Sequence, residues 1–164
     1  MPRRILSSRL LPNALLLVLT LGGLTLGACA YEHPSPPGYA WRYMPPNDEG
    51  PKLAYGRPDS DEVLMMMACA PGGRAGLTLT AADLSGDEIA LASNDTITRL
   101  KARVVASEVV GGILETQTSV DAAALSAFRR TGDLDLLIAD ERHSLDAAPS
   151  DRRDVKAFFK ACGV

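Results

Sequence analysis

Residues 63–70 read VLMMMACA, and both the odd and the even positions of this stretch are apolar. A strand with one face in water alternates apolar and polar residues, whereas a strand that is apolar throughout is typical of the centre of a sheet with both faces covered. The segment that follows, Pro71-Gly72-Gly73-Arg74, is typical of a turn. We therefore predict that residues 63–70 form a central β-strand.

Several shorter strands are predicted after this central strand. Leu77 and Leu79 alternate with threonine, which indicates a strand with one face in water. Similar strands are predicted near residues 88–93, 96–106, 111–118, 134–138 and 143–145. Short strands joined by turns indicate an α+β, mainly β fold in which about seven strands form an antiparallel sheet, as a sandwich or partial barrel.

Two helices interrupt the strands. The first is predicted over residues 121–130, because its apolar residues lie on one helical face and Gly132 follows as a stop signal. The second begins at Ser150, a favoured N-cap residue, and ends near Gly163. Its apolar stripe consists of Val155, Phe158, Phe159 and Cys162. A stripe on one face predicts that the C-terminal helix packs on the sheet.

The first thirty residues have the pattern of an export signal. Three arginines, Arg3, Arg4 and Arg9, precede a largely apolar segment over residues 10–26, and small residues follow at 27–30. A basic start, an apolar segment and a small-residue exit are typical of a cleaved secretory signal. An uncleaved membrane helix is the alternative, because about 17 to 25 apolar residues can span a bilayer.

Leu26-Gly27-Ala28-Cys29 resembles the lipobox of bacterial lipoproteins. The resemblance implies that residues 1–28 are a lipoprotein signal peptide, that the Cys29 thiol is diacylated, and that a dedicated peptidase cuts before it. Several acyl chains on one residue hold a protein stably in a membrane. Ala30 stands where an aspartate would imply inner-membrane retention, so the expected location is the periplasmic side of the outer membrane. Ordinary cleavage after Ala30 also fits the sequence and would release a soluble periplasmic protein.

The exported chain is acidic. The whole sequence has 17 basic and 20 acidic side chains, for a formal charge of −3. Three of the basic residues and none of the acidic ones precede Cys29, so fourteen basic and twenty acidic side chains remain, with a formal charge of −6. We therefore expect an acidic surface that binds neither nucleic acid nor anionic lipid through its charge.

A proline-rich segment follows the signal. Seven of the eleven prolines lie between residues 30 and 60, and proline disfavours both helices and central strands. We therefore expect residues 29–51 to form a tether that holds a domain of residues 52–164 clear of the membrane.

The proline-rich residues 30–60 also contain the only tryptophan and all four tyrosines of the chain. One interpretation is that Tyr39, Trp41 and Tyr43 pack along their own domain as an extended arm, and plain disorder is another. The functional interpretation is a partner-binding segment, because aromatic side chains near proline give a large contact at low entropic cost. Tyr39, Trp41 and Tyr43 are therefore candidate partner contacts.

The remaining cysteines are expected to pair. With Cys29 assigned to lipid, Cys69 at the end of the central strand and Cys162 on the buried face of the last helix form the one intramolecular pair left. Disulfides persist in oxidising compartments outside the cytosol. We predict a disulfide between Cys69 and Cys162 that closes nearly the whole domain and stabilises it by roughly 4 to 5 kcal/mol.

No pattern in the sequence predicts a catalytic residue, a metal site or a cofactor. His33 and His143 have no partner at metal-ligand spacing, and we interpret both as surface residues. The methionines at 65–67 alternate between the two faces of the central strand, so they cannot converge on a copper ion. Ser144 lies beside His143 but lacks the sharp turn of a nucleophile elbow. We therefore expect the protein not to be an enzyme.

Three motifs of the domain are similar to small uncharacterised envelope proteins of alphaproteobacteria, at residues 55–61 (YGRPDSD), 128–132 (FRRTG) and 158–163 (FFKACG). The similarity covers residues 52–164 and implies no activity and no catalytic residues. Together with the signal it favours a cell-envelope lipoprotein with a non-catalytic binding or structural role, with the membrane and an envelope protein as partners. The alternative is a periplasmic inhibitor of a lytic enzyme or protease, which would insert residues 109–112 or His143 into a cleft.

Overall fold

The computed structural model describes residues 32–70, 76–82, 86–105, 112–139 and 141–164. The strands in these ranges are β1 (Glu32–His33), β2 (Ala40–Asn47), β3 (Gly50–Gly56), β4 (Val63–Cys69), β5 (Leu77–Ala82), β6 (Glu88–Ser93), β7 (Thr96–Lys101), β8 (Arg103–Val105), β9 (Ile113–Thr118), β10 (Asp135–Ile138) and β11 (Glu141–Ser144). The helices are α1 (Ala123–Thr131) and α2 (Arg152–Ala161). The α+β, mainly β class expected from the sequence is confirmed.

The described strands form two sheets that do not close into a barrel. The five-stranded sheet has the order β1-β11-β10-β6-β7, and the six-stranded sheet has the order β2-β3-β4-β5-β9-β8. Neighbours are antiparallel, except that β1 runs parallel to β11. The expected number of about seven strands is too low. Residues 40–56 supply two further strands, and the strand predicted at 96–106 is divided between the two sheets as β7 and β8.

Strand β4 lies in the middle of the six-stranded sheet, between β3 and β5, as its sequence predicts. Its inward face consists of Met65, Met67 and Cys69, which are at most 2% exposed. Its other face is half-buried. The expectation of two covered faces therefore holds fully on the core side and only in part on the outer side.

One core joins both sheets and both helices. Helix α1 packs on β6 and β7, and α2 packs on β2 and β3, which confirms that the C-terminal helix lies on a sheet. The fully buried side chains of this core include Leu79, Ile89, Leu91, Leu114, Phe128 and Phe158. Burial of this apolar surface is the main term that stabilises the fold.

Two glycines are required by local geometry. Gly132 ends α1 in the left-handed conformation, with φ of 80°, and its N–H donates to the Phe128 carbonyl at 2.7 Å, as the predicted stop signal implies. Gly56 ends β3, and a Cβ on it would lie 2.3 Å from the Glu62 carbonyl oxygen. Any side chain at Gly56 would therefore force β3 and β4 apart.

The fold includes most of the expected tether. Strand β2 pairs with β3 from Ala40 to Asn47, so residues 40–51 lie in the six-stranded sheet, and β1 joins the other sheet. Pro45 and Pro46 fit because β2 is an edge strand and its register shifts between Met44 and Asn47, and edges and bulges are where strands tolerate proline. The structure corrects the expected tether over residues 32–51 and the domain boundary at residue 52, whereas residues 29–31 lie outside the described residues.

No helix among the described residues is long and apolar enough to cross a membrane. The apolar segment at residues 10–26 lies outside the described ranges.

Candidate functional site

The predicted lipidation site lies next to the first strand in sequence. Cys29 itself is outside the described residues, and β1 begins three positions later, at Glu32. Of the candidate inhibitory loop at residues 109–112, only Gly112 lies within the described residues.

The aromatic residues expected to contact a partner are placed in the fold. Trp41 has no exposed surface, and its indole N–H donates to the Leu145 carbonyl at 2.6 Å. Its ring lies 5.1 Å from those of Tyr55 and Phe128, between centroids. Tyr39 and Tyr43 are half-buried against the same core. The role of partner contact is therefore wrong for Trp41, because a fully buried ring has no surface to offer, and the packed-arm interpretation describes this segment.

Helix α2 also covers the outer edge of β2. The backbone N–H of Trp41 donates to Asp151 Oδ2 at 3.1 Å, and that of Tyr43 donates to Asp154 Oδ2 at 3.3 Å. Asp151, at the N-cap position of α2, is 4% exposed. These carboxylates satisfy donors that an edge strand leaves unpaired. The expected N-cap, Ser150, donates instead to the Asp151 carboxylate at 2.8 Å.

Cys69 and Cys162 lie at disulfide distance and are joined, as the sequence predicts. Their Cα atoms are 5.8 Å apart, and 93 positions separate them in sequence. The bond connects the end of β4 to the end of α2. It therefore holds the helix that covers Trp41 against the six-stranded sheet.

Three potential metal ligands converge at the β1 edge of the five-stranded sheet. The parallel pairing of β1 with β11 places His33 directly opposite His143. Glu141 lies two residues before His143 on β11 and so faces the same side of the sheet. We call His33, Glu141 and His143 the histidine cluster. Both histidines are partly exposed, as expected of surface residues, but they contact each other, a proximity that their spacing in the sequence does not indicate.

The side chains of the histidine cluster contact one another. The two imidazole rings are stacked, with centroids 4.2 Å apart and planes within 8° of parallel. His33 Nε2 lies 3.0 Å from Glu141 Oε2. Burial lowers the pKa of His143, the nearby His33 lowers it further, and Glu141 acts in the opposite direction. His143 is therefore favoured as a neutral imidazole, the form that binds metal ions.

An apolar pocket of about 130 Å³ lies beside the histidine cluster. His143 lines it together with Leu136 and Ile138, which pair with His143 and Glu141 across the β10–β11 ladder. Its remaining walls are formed by Pro34, Pro36, Leu64, Ala82, Ser144 and Leu145. Sites for drug-sized ligands occupy about 300 to 1,000 Å³, so this pocket has room only for a short apolar group.

The hydroxyl groups next to the cluster attach β1 to the sheet. The Ser35 and Ser144 hydroxyl oxygens lie 3.0 Å apart, and the Ser35 hydroxyl is 3.2 Å from the Ser144 carbonyl oxygen. Ser144 also accepts from the Asp146 backbone N–H at 3.3 Å. These contacts give Ser144 a structural role in holding residues 32–35 in place.

Sequence reasoning missed the histidine cluster because its members are far apart in the chain. His33 and Glu141 are separated by 108 residues. The useful local signal was the spacing Glu141-x-His143, which puts both side chains on one face of a strand. Nothing local indicates that β1 adds to that strand in parallel.

Comparison of the chain with protein-family models, with curated proteins and with solved structures gives no match.

Proposed function

We propose that this protein is a cell-envelope lipoprotein, anchored through acylated Cys29, whose disulfide-closed domain has a non-catalytic binding or structural role at the periplasmic face of the membrane. Ala30 favours sorting to the outer membrane. The observation that carries the proposal is the lipobox-like sequence at residues 26–29, which lies only a short distance in sequence before the folded domain.

That distance limits where the domain can lie. Three residue steps separate Cys29 from Glu32 in β1, and an extended chain covers about 3.3 to 3.6 Å per residue. The first strand would therefore be held within about 10 Å of the acylated residue. The domain would lie against the membrane surface rather than at the end of a long tether, with the β1 edge nearest to the lipid.

The disulfide supports an exported location. Disulfides are rare in proteins of reducing compartments, whereas small domains of the envelope and the extracellular space use them to compensate for a limited core. The Cys69–Cys162 bond links two residues that are 93 positions apart and so closes a loop that contains most of the fold. It also leaves Cys29 as the one cysteine of the three that is available for a lipid.

Metabolic labelling tests the anchor. Cells expressing the full chain are labelled with palmitate, with and without globomycin, which inhibits the lipoprotein signal peptidase. We expect the protein to carry label, to stay in the membrane fraction through washes with high salt, and to accumulate as a larger precursor in globomycin. Separation of inner and outer membranes by density tests the proposed sorting.

Variant Cys29→Ala provides the control. It should lose the label and appear in the periplasmic fraction or as an unprocessed precursor. The double variant Cys69→Ala/Cys162→Ala should keep the label, because it leaves Cys29 intact. Unlabelled protein of normal size in the soluble periplasm would contradict the anchor and indicate cleavage after Ala30.

A further inference from the structure

The histidine cluster combines two nitrogen donors and one oxygen donor on the exposed edge of a fixed scaffold. The potential ligand atoms of His33, Glu141 and His143 all lie within 4.8 Å of one another. In a tetrahedral zinc site, metal–ligand bonds of about 2.0 to 2.1 Å place neighbouring ligand atoms roughly 3.3 Å apart. The cluster therefore needs only side-chain rotations to close around one ion.

The exposure of the side chains permits those rotations. The His33 side chain is 36% exposed and that of Glu141 is 52% exposed, so both can turn about their own bonds without displacing the core. The backbone beneath them is held on both sides. Arg142, which points to the other face of β11, donates to Asp135 Oδ2 at 2.6 Å, and Ser35 bonds to Ser144.

The donor set selects a class of ion. Two imidazoles and one carboxylate suit zinc and copper(II), whereas calcium and magnesium take mainly oxygen ligands. Three protein ligands leave one position of a tetrahedral site for water or an external group. One of the three ligands, His143, also lines the apolar pocket, together with Leu136 and Ile138.

We propose that His33, Glu141 and His143 form a binding site for a single divalent transition-metal ion of the zinc class, which clips β1 to β11. The site does not depend on acylation of Cys29, so it is independent of the proposed anchor. An ion bound there would tie β1 to β11, the last strand in sequence of the five-stranded sheet.

Zinc binding is tested on the full chain, purified in detergent without a polyhistidine tag and treated with a chelator. Isothermal titration with zinc chloride should give a stoichiometry of one. Because the chain has only two histidines, NMR of the imidazole groups reports directly on the site, and both ring signals should shift with zinc. Cobalt(II) should give the visible absorption typical of tetrahedral coordination.

Ligand variants identify the site. His33→Ala and His143→Ala should each weaken zinc binding by more than about tenfold, since loss of groups that merely support a ligand already costs about 10- to 100-fold. Glu141→Gln should weaken it by a smaller factor. The matched control is Glu88→Gln, an exposed glutamate of the same sheet that pairs with Arg99. It should bind zinc as the native protein does.

Circular dichroism and thermal unfolding verify that each variant is folded before titration. Unchanged zinc affinity in the double variant His33→Ala/His143→Ala would overturn the proposal. So would a titration without saturable binding in which both imidazole signals stay in place, and the stacked rings would then be a purely structural contact. Release of the Cys29→Ala variant from the membrane together with normal zinc binding is the result that both proposals predict.

Discussion

Residues 32–36 and residues 40–56 belong to one proline-rich stretch, but they are attached to the fold in different ways. Residues 32–33 form β1, a two-residue strand at the edge of the five-stranded sheet, held by exposed or half-exposed contacts. Residues 40–56 form β2 and β3 and place Trp41, Leu53 and Tyr55 in the core at no more than 1% exposure.

The difference shows that apolar content, rather than proline content, decides how deeply each of these two segments is buried in the fold. A buried tryptophan or tyrosine removes roughly 150 to 250 Å² from water, at about 25 cal/mol per Å² of apolar area. Burial of this size offsets the ordering of a few residues, which costs about 1 to 2 kcal/mol each. Residues 32–36 have no such side chain and depend on local polar contacts.

The largest effect is expected from Trp41→Ala. The substitution leaves a cavity between Tyr55 and Phe128 and removes the bond to Leu145, so it should lower the free energy of unfolding by about 3 to 5 kcal/mol. Urea unfolding followed by circular dichroism measures the change. Met44→Ala on the same strand is the control, because Met44 is 39% exposed. Similar unfolding midpoints for the two variants would show that β2 contributes little to the core.

The disulfide should have the next largest effect. Cys69→Ala/Cys162→Ala removes the link that holds α2 over β2 and should cost about 2 to 5 kcal/mol. The unfolding midpoint of the native protein should fall in dithiothreitol, whereas that of the double variant should not respond. If dithiothreitol frees the thiols but leaves the unfolding midpoint of the native protein unchanged, the disulfide does not stabilise the fold.

Loss of the carboxylate that covers β2 should have an intermediate effect. Asp151→Ala leaves the buried N–H of Trp41 without its acceptor, and we expect a loss of about 1 to 3 kcal/mol. Asp154→Ala is the matched comparison, because Asp154 makes a longer bond of 3.3 Å to a half-buried residue. Equal losses for the two variants would argue against burial as the cause.

Tyr55→Phe should stabilise the core slightly. The Tyr55 hydroxyl is buried without a hydrogen-bond partner among the described residues, so its removal should add up to about 1 kcal/mol. Burial is the main cause that raises the pKa of Tyr55.

This raised pKa gives the substitution a pH dependence. The unfolded state ionises first, near the ordinary value of about 10, so the native protein loses stability as the pH rises above that value. Tyr55→Phe should reduce this alkaline loss, which urea unfolding at a series of pH values measures. Parallel stability curves above about pH 10 for Tyr55→Phe and the native protein would contradict the assignment.

His33→Ala should have the smallest effect on global stability, below about 1 kcal/mol, since it removes only partly exposed contacts. Hydrogen exchange should accelerate at residues 32–36 and stay unchanged at residues 40–56. Ser35→Ala should give the same local pattern through loss of its bond to Ser144. Faster exchange across both ranges would show that the two parts open together.

Much of the fold could be predicted because it depends on local patterns. Strand β4, both helices and the stop at Gly132 follow from the spacing of apolar residues and from the glycine that ends α1. The place of β2 could not be predicted in this way, because Pro45 and Pro46 disfavour strands in general. Only its position at a sheet edge makes them acceptable.

The candidate site was less predictable than the fold. The disulfide could be predicted because only Cys69 and Cys162 remain once Cys29 is expected to carry the lipid. The contact between His33 and His143 could not be predicted, since a ligand pair separated by more than a hundred residues has no characteristic spacing. For Trp41 the sequence leaves a packed arm, a partner contact and disorder open, because its neighbours in sequence do not indicate whether its ring is buried, and only the structure shows that it is.

By itself, the sequence determined the mainly β class, the export-like start of the chain, the acidic charge and the pairing of Cys69 with Cys162. Tertiary structure decided that β1 and β2 join different sheets, that Trp41 is a core residue and that the two histidines meet. The physical reason is the distance in sequence over which each interaction acts. Side-chain periodicity is set by neighbours a few residues apart, whereas the pairing of β1 with β11 depends on backbone hydrogen bonds between segments that only the folded chain brings together.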